Sequence, residues 1–137
     1  MTKGPQLISV VSSENGLLHV HVAATFQVSE VSPMLEEVRR CAEAANAKNL
    51  LIDVREYTRK LTVIQRLQIA LAAVAKLRGF RVAGVFSEAS FDPQRLGQTM
   101  ANNRGANVAT FTDLAEAEAW LQAAQIASEQ ANCARLV

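Results

Sequence analysis

Residues Asn49–Thr62 read Asn-Leu-Leu-Ile-Asp-Val-Arg-Glu-Tyr-Thr-Arg-Lys-Leu-Thr, and the interpretation of the whole chain starts from them. The stretch opens with an apolar run, residues 50–54, which only Asp53 interrupts. Such a run is typical of a strand covered on both faces. A charged segment follows, and Thr62 with Gln65 then matches the capping box that starts a helix. Because ligand sites in open α/β sheets gather at the carboxyl ends of strands, we expect any functional site to lie on the charged segment.

Strand-like and helix-like patterns alternate on both sides of this stretch. Asn15-Gly16 separates two β-like runs, which is a strong signal for a hairpin. The predicted strands cover residues 6–12, 17–26, 50–54, 80–86 and 107–111. The predicted helices cover residues 33–47, 63–78 and 93–103, and a fourth starts after Asp113. This order predicts a single α/β domain over residues 1–137, with a five-stranded mixed sheet, right-handed crossovers and an ordered core at about 6–128.

Local signals place the helix ends and their buried faces. Ser32-Pro33 and Asp92-Pro93 are interpreted as helix starts with proline in the first helical position. Gly79 is interpreted as the stop of the second helix, with basic residues before it. The apolar spacing predicts that Leu71 of the second helix and Leu96 of the third face the core. After about residue 130 the pattern fades, and we expect a frayed tail.

Composition limits the kinds of partner. The chain has 137 residues, half of them apolar and a fifth charged, with a net charge of +1. That balance gives no general attraction to nucleic acid or to an anionic membrane, and no apolar run is long enough to span a bilayer. Cys41 and Cys133 do not form a disulfide framework, so we expect a cytoplasmic protein. Alanine-rich helices and an exposed hairpin edge are compatible with a homodimer.

Two segments resemble a known family. Residues 92–108 read Asp-Pro-Gln-Arg-Leu-Gly-Gln-Thr-Met-Ala-Asn-Asn-Arg-Gly-Ala-Asn-Val, and residues 111–121 read Phe-Thr-Asp-Leu-Ala-Glu-Ala-Glu-Ala-Trp-Leu. Together with the order of elements, they resemble the bacterial SpoIIAA-like proteins, which are related to STAS domains and more distantly to CRAL-TRIO lipid-binding domains. The resemblance implies a (βα)n superhelix with the hairpin at one edge and four helices.

The resemblance also implies two functions. STAS-type anti-sigma-factor antagonists carry a phosphorylatable serine, usually within Asp-Ser-Ser-Gly, at the start of the helix after the third strand. The matching stretch here is residues 57–62, in which that motif is absent and Thr58 and Thr62 are the candidate phosphorylation sites. The CRAL-TRIO kinship implies lipid or apolar-ligand binding as an alternative. That function needs a cavity between helices and sheet, which we expect alanine-rich helices to close.

The leading hypothesis is a non-enzymatic module that docks a protein partner or a small anionic ligand before the second helix. Free amides and the helix dipole favour an anion there, and basic side chains add positive charge. The candidate binding residues are Arg55, Tyr57, Thr58, Arg59, Lys60, Thr62 and Arg66. The competing interpretation is a solvated loop with an ordinary capping threonine.

Other chemistry-bearing residues point to structure and not to catalysis. His19 and His21 share one face of a strand, but two imidazoles fall short of the three or four ligands that zinc needs. Cys41 lies on the apolar stripe of the first helix and is interpreted as a buried thiol. Asp53 and Glu56 form an acid/base pair only if both turn inward, and pairing with Arg55, Arg59 or Lys60 is the simpler expectation. We therefore predict no metal site and no cofactor, and an enzyme of unknown class is the weakest hypothesis.

Overall fold

The computed structural model describes residues 7–123, which form five strands, four α-helices and one short 3-10 helix. The strands are β1 (Ile8–Glu14), β2 (Leu17–Val22), β3 (Asn49–Val54), β4 (Arg81–Phe86) and β5 (Asn107–Phe111). The helices are the 3-10 turn Val28–Glu30, α1 (Val31–Ala44), α2 (Val63–Lys76), α3 (Leu96–Asn103) and α4 (residues 114–123). The predicted α/β class and the alternation of strands and helices are therefore confirmed.

The five strands lie in the sheet in the order in which they occur in the chain. β1 and β2 form the antiparallel hairpin, and each later strand is parallel to the one before it. Right-handed crossovers between neighbours that advance in one direction place their connecting helices on one face of the sheet. In agreement, α2 packs between α1 and α3. The predicted mixed sheet with one antiparallel strand is confirmed.

The core is divided between the two faces of the sheet. Alternate residues of β2, β3 and β4 face α1 and α2 in the larger cluster, which includes Val20, Ile52 and Val38. The opposite face carries Leu51 and Val85, which α4 covers with buried Ala117 and Leu121. Both faces of β3 are covered, so all six of its residues are buried, as its nearly unbroken apolar run predicted.

The hairpin and the second helix follow their local signals closely. Asn15 and Gly16 both have positive φ angles, 56° and 77°, which a two-residue hairpin turn of the primed type requires. α2 begins at Val63 behind the predicted capping box, in which the Gln65 amide donates to Thr62 Oγ1 and the Thr62 amide donates to Gln65 Oε1. Gly79 has a φ of 90°, so the predicted glycine stop is also confirmed.

The predicted boundaries of the first helix are wrong at both ends. The 3-10 turn is capped by Gln27, whose backbone N–H donates to Glu30 Oε1 (2.8 Å), and it runs directly into α1, which begins at Val31. Ser32 and Pro33 therefore lie inside the first turn, where proline is tolerated because it leaves no intrahelical hydrogen bond unmade. The helix ends at Ala44 and not at residue 47, since Asn46 adopts a left-handed conformation (φ 55°).

The third helix starts later than predicted. Asp92 holds a turn, with its two carboxylate oxygens accepting hydrogen bonds from the backbone amides of Gln94 (3.0 Å) and Leu96 (2.9 Å). Arg95 is left-handed (φ 51°), so the regular helix begins at Leu96. Among the described residues, β1 covers Ile8–Glu14 and so extends past its predicted end at residue 12, while β2 ends at Val22 instead of residue 26; the predicted start of β1 at residue 6 lies outside the described residues.

Two leucines that the spacing placed in the core are exposed. Leu71 is 47% exposed and Leu96 is 41% exposed, because α2 and α3 contact each other through smaller residues. Ala70, Val74 and Ala101 form that contact. The Cβ that an alanine would add at residue 97 would lie 3.3 Å from the Arg66 carbonyl oxygen, so glycine permits the close approach. The predicted fraying after residue 130 and the site of Cys133 lie outside the described residues.

Side chains of α3 cover the outer edge of β5. The Asn102 side chain donates to the Val108 carbonyl (3.0 Å) and accepts from the Val108 amide (2.8 Å). Gln98 Oε1 accepts from the Thr110 amide (2.8 Å). These bonds occupy outward-facing backbone groups that would otherwise be free to pair with another strand. At the other edge, β1 exposes Val10 and Val11 beside a bulge, so a homodimer through the hairpin stays a prediction.

Replacing Asn102 by alanine is expected to lower the free energy of unfolding by about 1 kcal/mol, because two backbone groups of β5 lose their partner and remain only partly solvated. Urea denaturation measures this loss. Asn103→Ala is the matched control, since Asn103 is its exposed neighbour in the same helix. Equal stability of the two variants would contradict the role given to Asn102.

Candidate functional site

The charged segment after β3 is divided by the fold into parts with different environments. Arg55 folds back onto the strand that precedes it. Its Nε and Nη2 donate to the two carboxylate oxygens of Asp53 at 2.9 and 2.8 Å, and its backbone amide donates to the same carboxylate at 3.1 Å. The predicted pairing of Asp53 with a nearby arginine is confirmed. Arg55 is therefore occupied by its own strand.

The ion pair between Asp53 and Arg55 dominates the electrostatics at the carboxyl end of β3. Burial by itself would raise the pKa of the Asp53 carboxyl, but the hydrogen bonds and the charge of Arg55 outweigh it and hold the pKa below its ordinary value. The pKa of Arg55 is raised in turn, mainly by its hydrogen bonds to Asp53. The carboxylate is charged at neutral pH because the arginine compensates for its burial.

Tyr57 points into the protein and not toward solvent. It is buried and its ring lies 4.5 Å, centroid to centroid, from the ring of Phe26. Its backbone carbonyl accepts hydrogen bonds from the hydroxyls of Ser87 (2.7 Å) and Ser90 (3.4 Å) in the loop after β4. These bonds fasten the loop after β3 to the loop after β4.

The remaining predicted site residues separate into exposed and inward-facing ones. Thr58, Arg59 and Lys60 are exposed, and Thr62 is the cap of α2 described above. Arg66, one turn into α2, faces the sheet, where its Nη1 lies 3.9 Å from Asp92 Oδ1. The structure therefore keeps three of the seven residues together on a solvent-facing loop, whereas Tyr57 and Arg66 face the interior.

Tyr57 and Arg66 line a cavity of about 140 Å³ between the sheet and α1, α2 and α3. Its walls are mostly apolar and come from strands β2 to β5 as well as from the helices. Representative wall residues are Phe26, Met34, Ile52, Ile69, Ala73 and Phe86. The expectation that alanine-rich helices would close this space is wrong. They pack closely on each other, but their short side chains do not reach far enough to fill the space above the strands.

One region of the cavity wall is polar. Ser90, Asp92, Arg95, Gln98 and Thr110 join Arg66 there, contributed by the loop after β4, by α3 and by β5. The Arg95 guanidinium lies 5.1 Å above the centre of the Phe91 ring, and its Nε donates to the Thr110 carbonyl at 3.4 Å. A mostly apolar cavity with a few polar groups on one side is the usual form of a small-molecule site.

Arg66 is incompletely paired. Its side chain is 18% exposed, and its Nε is buried with no hydrogen-bond partner in the part of the chain that the structure describes. Both oxygens of Asp92 already accept backbone amides, and 3.9 Å is a long separation for an ion pair. A buried donor without an acceptor costs about 1–3 kcal/mol, and more when it is charged. Arg66 is therefore a cavity-wall residue whose guanidinium is not fully hydrogen-bonded within the described residues.

The histidines lie on the opposite face of the sheet. His21 Nε2 is 3.4 Å from Glu56 Oε1, and His19 Nε2 is buried with no partner among residues 7–123. In that same range no group of three or more His, Cys, Asp or Glu side chains is arranged to hold a metal ion. Cys41 is half-buried and packs against the core, as its place on the apolar stripe predicted.

Of the seven candidate binding residues predicted from the sequence, Tyr57 and Arg66 line the cavity. The sequence did not indicate the other cavity-lining residues as part of a site. Ile52 and Val54 were recognised as a buried strand, but no local signal separates a residue that lines a cavity from one that fills a core. Phe91 and Gln98 belong to a loop and a helix that were interpreted only as structural. They reach the cavity because the loop after β4 and the helix packed against β5 both border it.

A comparison of the chain with models of protein families found no match, and a comparison with curated proteins found none either. Of the helices that the structure describes, none is both long and apolar enough to cross a bilayer.

Replacing Arg55 by methionine is expected to lower stability at pH 7 by about 1–3 kcal/mol, because the buried Asp53 carboxylate loses its partner. The substitution should also reverse the direction in which the stability contributed by Asp53 changes with pH. In the unsubstituted protein the depressed pKa contributes stability that is present above about pH 3.9 and is lost as the pH falls through the folded-state pKa. In Arg55→Met, burial raises the pKa of Asp53, so stability should increase as the pH is lowered from 7 to 5.

Urea titrations between pH 3 and pH 8 measure both curves. Arg59→Met is the control, since Arg59 is exposed on the same loop, and it should stay within about 0.5 kcal/mol of the unsubstituted protein. Parallel pH curves for Arg55→Met and Arg59→Met would rule out this role of Arg55.

Proposed function

We propose that this protein binds a small, largely apolar molecule in the cavity between the sheet and α1, α2 and α3. The observation that carries the proposal is the cavity itself, about 140 Å³ of space between the sheet and the helices. Protein interiors contain few voids larger than a water molecule, so a space of this size needs a reason.

The size of the cavity limits the ligand. An engineered apolar cavity of about 150 Å³ in another protein accommodates benzene. The proposed ligand is therefore of the size of one aromatic ring or a short branched chain. This narrows the alternative drawn from the CRAL-TRIO resemblance, since a long-chain lipid needs several times this volume.

The position of the cavity supports the same proposal. Three of its wall segments follow the carboxyl ends of strands: Phe26 after β2, Tyr57 after β3, and the segment Ser90–Asp92 after β4. Loops at the carboxyl ends of parallel strands are the usual binding elements of open α/β sheets. The predicted functional end of β3 thus contributes to the proposed site through Tyr57, which faces the interior.

Binding is proposed in preference to catalysis because, among the residues 7–123 that line the cavity, no nucleophile stands beside an activating base. Ser90 is buried there, but its hydroxyl is hydrogen-bonded to Ser87 and to backbone carbonyls. Both histidines of the chain belong to β2 and face the opposite side of the sheet. Kinship with SpoIIAA-like, STAS-related proteins remains a proposal, supported by the order of elements.

A second candidate function is docking of a protein partner at the loop before α2. Arg59 and Lys60 are exposed there beside two exposed apolar residues, Val63 (51%) and Ile64 (70%). A contact surface that combines apolar and basic side chains suits a partner with acidic residues around an apolar centre. Phosphorylation of Thr58 or Thr62 would add nearly two negative charges beside Arg59 and Lys60 and so largely neutralise this surface. Mass spectrometry of protein isolated from its own host would detect such a phosphate. If both threonines are always unmodified, the hypothesis that phosphorylation controls docking is wrong.

Filling the cavity is expected to weaken the binding of a small apolar probe. Ala73→Leu adds a larger side chain at the wall of the cavity, and it should reduce the affinity for benzene or toluene by roughly tenfold or more, which corresponds to about 1.4 kcal/mol. Because the new side chain enters existing space, it should avoid the destabilisation of about 1–3 kcal/mol that overpacking causes in a filled core.

Protein-observed NMR titration and thermal unfolding measure these two effects. Ala75→Leu is the matched control, since Ala75 lies in the same helix but is exposed; it should bind the probe as the unsubstituted protein does. The expected resonance shifts are confined to cavity residues such as Gly84 and Gly97. Shifts scattered over the surface, or binding that survives Ala73→Leu unchanged, would refute the proposed function.

A further inference from the structure

The chemistry of the ligand follows from the charges at the cavity wall. Two arginines, Arg66 and Arg95, line the cavity together with one acidic residue, Asp92. The formal charge of these three side chains is positive. A cationic ligand group would be repelled there, whereas an anionic one would be attracted.

Asp92 cannot satisfy Arg66 well. Its Oδ1 accepts from the Gln94 amide and its Oδ2 from the Leu96 amide, and these bonds hold the turn before α3. Movement of the carboxylate toward Arg66 would break them. The 3.9 Å separation between Arg66 Nη1 and Asp92 Oδ1 is consistent with this division of roles.

Arg66 also keeps an unused hydrogen-bonding group. Its Nε is enclosed and has no partner in the described part of the chain, and its Nη groups make no hydrogen bond there beyond the 3.9 Å approach to Asp92. The two Nη groups of a guanidinium present parallel N–H donors that match the two oxygens of a carboxylate. A neutral apolar ligand would leave the Nη donors unpaired, and a carboxylate would satisfy them.

We propose that the ligand is a small monocarboxylate, with its apolar part in the cavity and its carboxylate bound by Arg66. This inference rests on the proposed function, since it identifies the chemical class of the molecule that the cavity holds. The ring or short chain would contact Phe26, Ile52 and Phe86, and Arg95 would add positive charge at the same polar region. A carboxylate suits the site because it is planar and adds few atoms to a ligand that already fills about 140 Å³.

Benzoate and benzamide test the inference, because they share one ring and nearly the same shape but differ in charge. Isothermal titration calorimetry or NMR titration with each probe should show that benzoate binds roughly tenfold more tightly or better, as expected for a charge-assisted pair. Arg66→Gln should reduce the affinity for benzoate to that for benzamide and leave benzamide binding unchanged. Arg40→Gln removes the same charge from the exposed face of α1, away from the cavity, and should change neither affinity.

The outcomes separate this inference from the function on which it rests. Binding of benzene together with equal affinities for benzoate and benzamide would overturn the carboxylate assignment and leave the proposed function standing. A preference for benzoate that persists in Arg66→Gln would overturn the assignment to Arg66. If none of the three probes binds, both proposals fail. Should Arg66→Gln not fold, the comparison of benzoate with benzamide on the unsubstituted protein still decides the chemical class.

Discussion

Right-handed crossovers between neighbouring parallel strands set the layout of this protein. Each of the three connections advances the sheet by one strand in the same direction, so α1, α2 and α3 lie side by side on one face. The other face is left to α4, which covers the centre of the sheet over Leu51, Ala83 and Val85. β3 is buried on both sides as a result, and the loops after β2, β3 and β4 meet at one end of the sheet.

The cavity is a consequence of how that row of helices packs. Contact between α2 and α3 depends on Ala70, Gly97 and Ala101, which bring the two backbones close together. Short side chains that join two helices cannot also extend far toward the strands beneath them. Retaining such a space is consistent with the compromise between stability and function seen at binding sites.

The charged segment after β3 illustrates how a fold redistributes residues that are adjacent in sequence. Asp53 forms an ion pair with Arg55, so a buried carboxylate and a half-exposed guanidinium stabilise each other at the end of β3. Tyr57 turns inward and its carbonyl fastens two loops together, while Arg59 and Lys60 stay in solvent. A segment that looks like one basic surface in the sequence thus contributes to an ion pair, a cavity wall and an exposed loop.

The sequence by itself determined the features that depend on local interactions. These are the hairpin at Asn15-Gly16, the capping box of α2, the buried strand β3 and the alternation that makes a mostly parallel sheet. Each follows from backbone conformations or periodicities that a few neighbouring residues specify. Only the tertiary structure decided the exposure of Leu71 and Leu96, the late start of α3 and the existence of the cavity. The contact between Arg66 and Asp92 also depends on the tertiary structure. Asp92 lies 26 positions further along the chain, and it approaches Arg66 because β3 and β4 are adjacent in the sheet. Distances between helices and the space left above a sheet depend on the summed packing of residues remote in sequence, which no local pattern encodes.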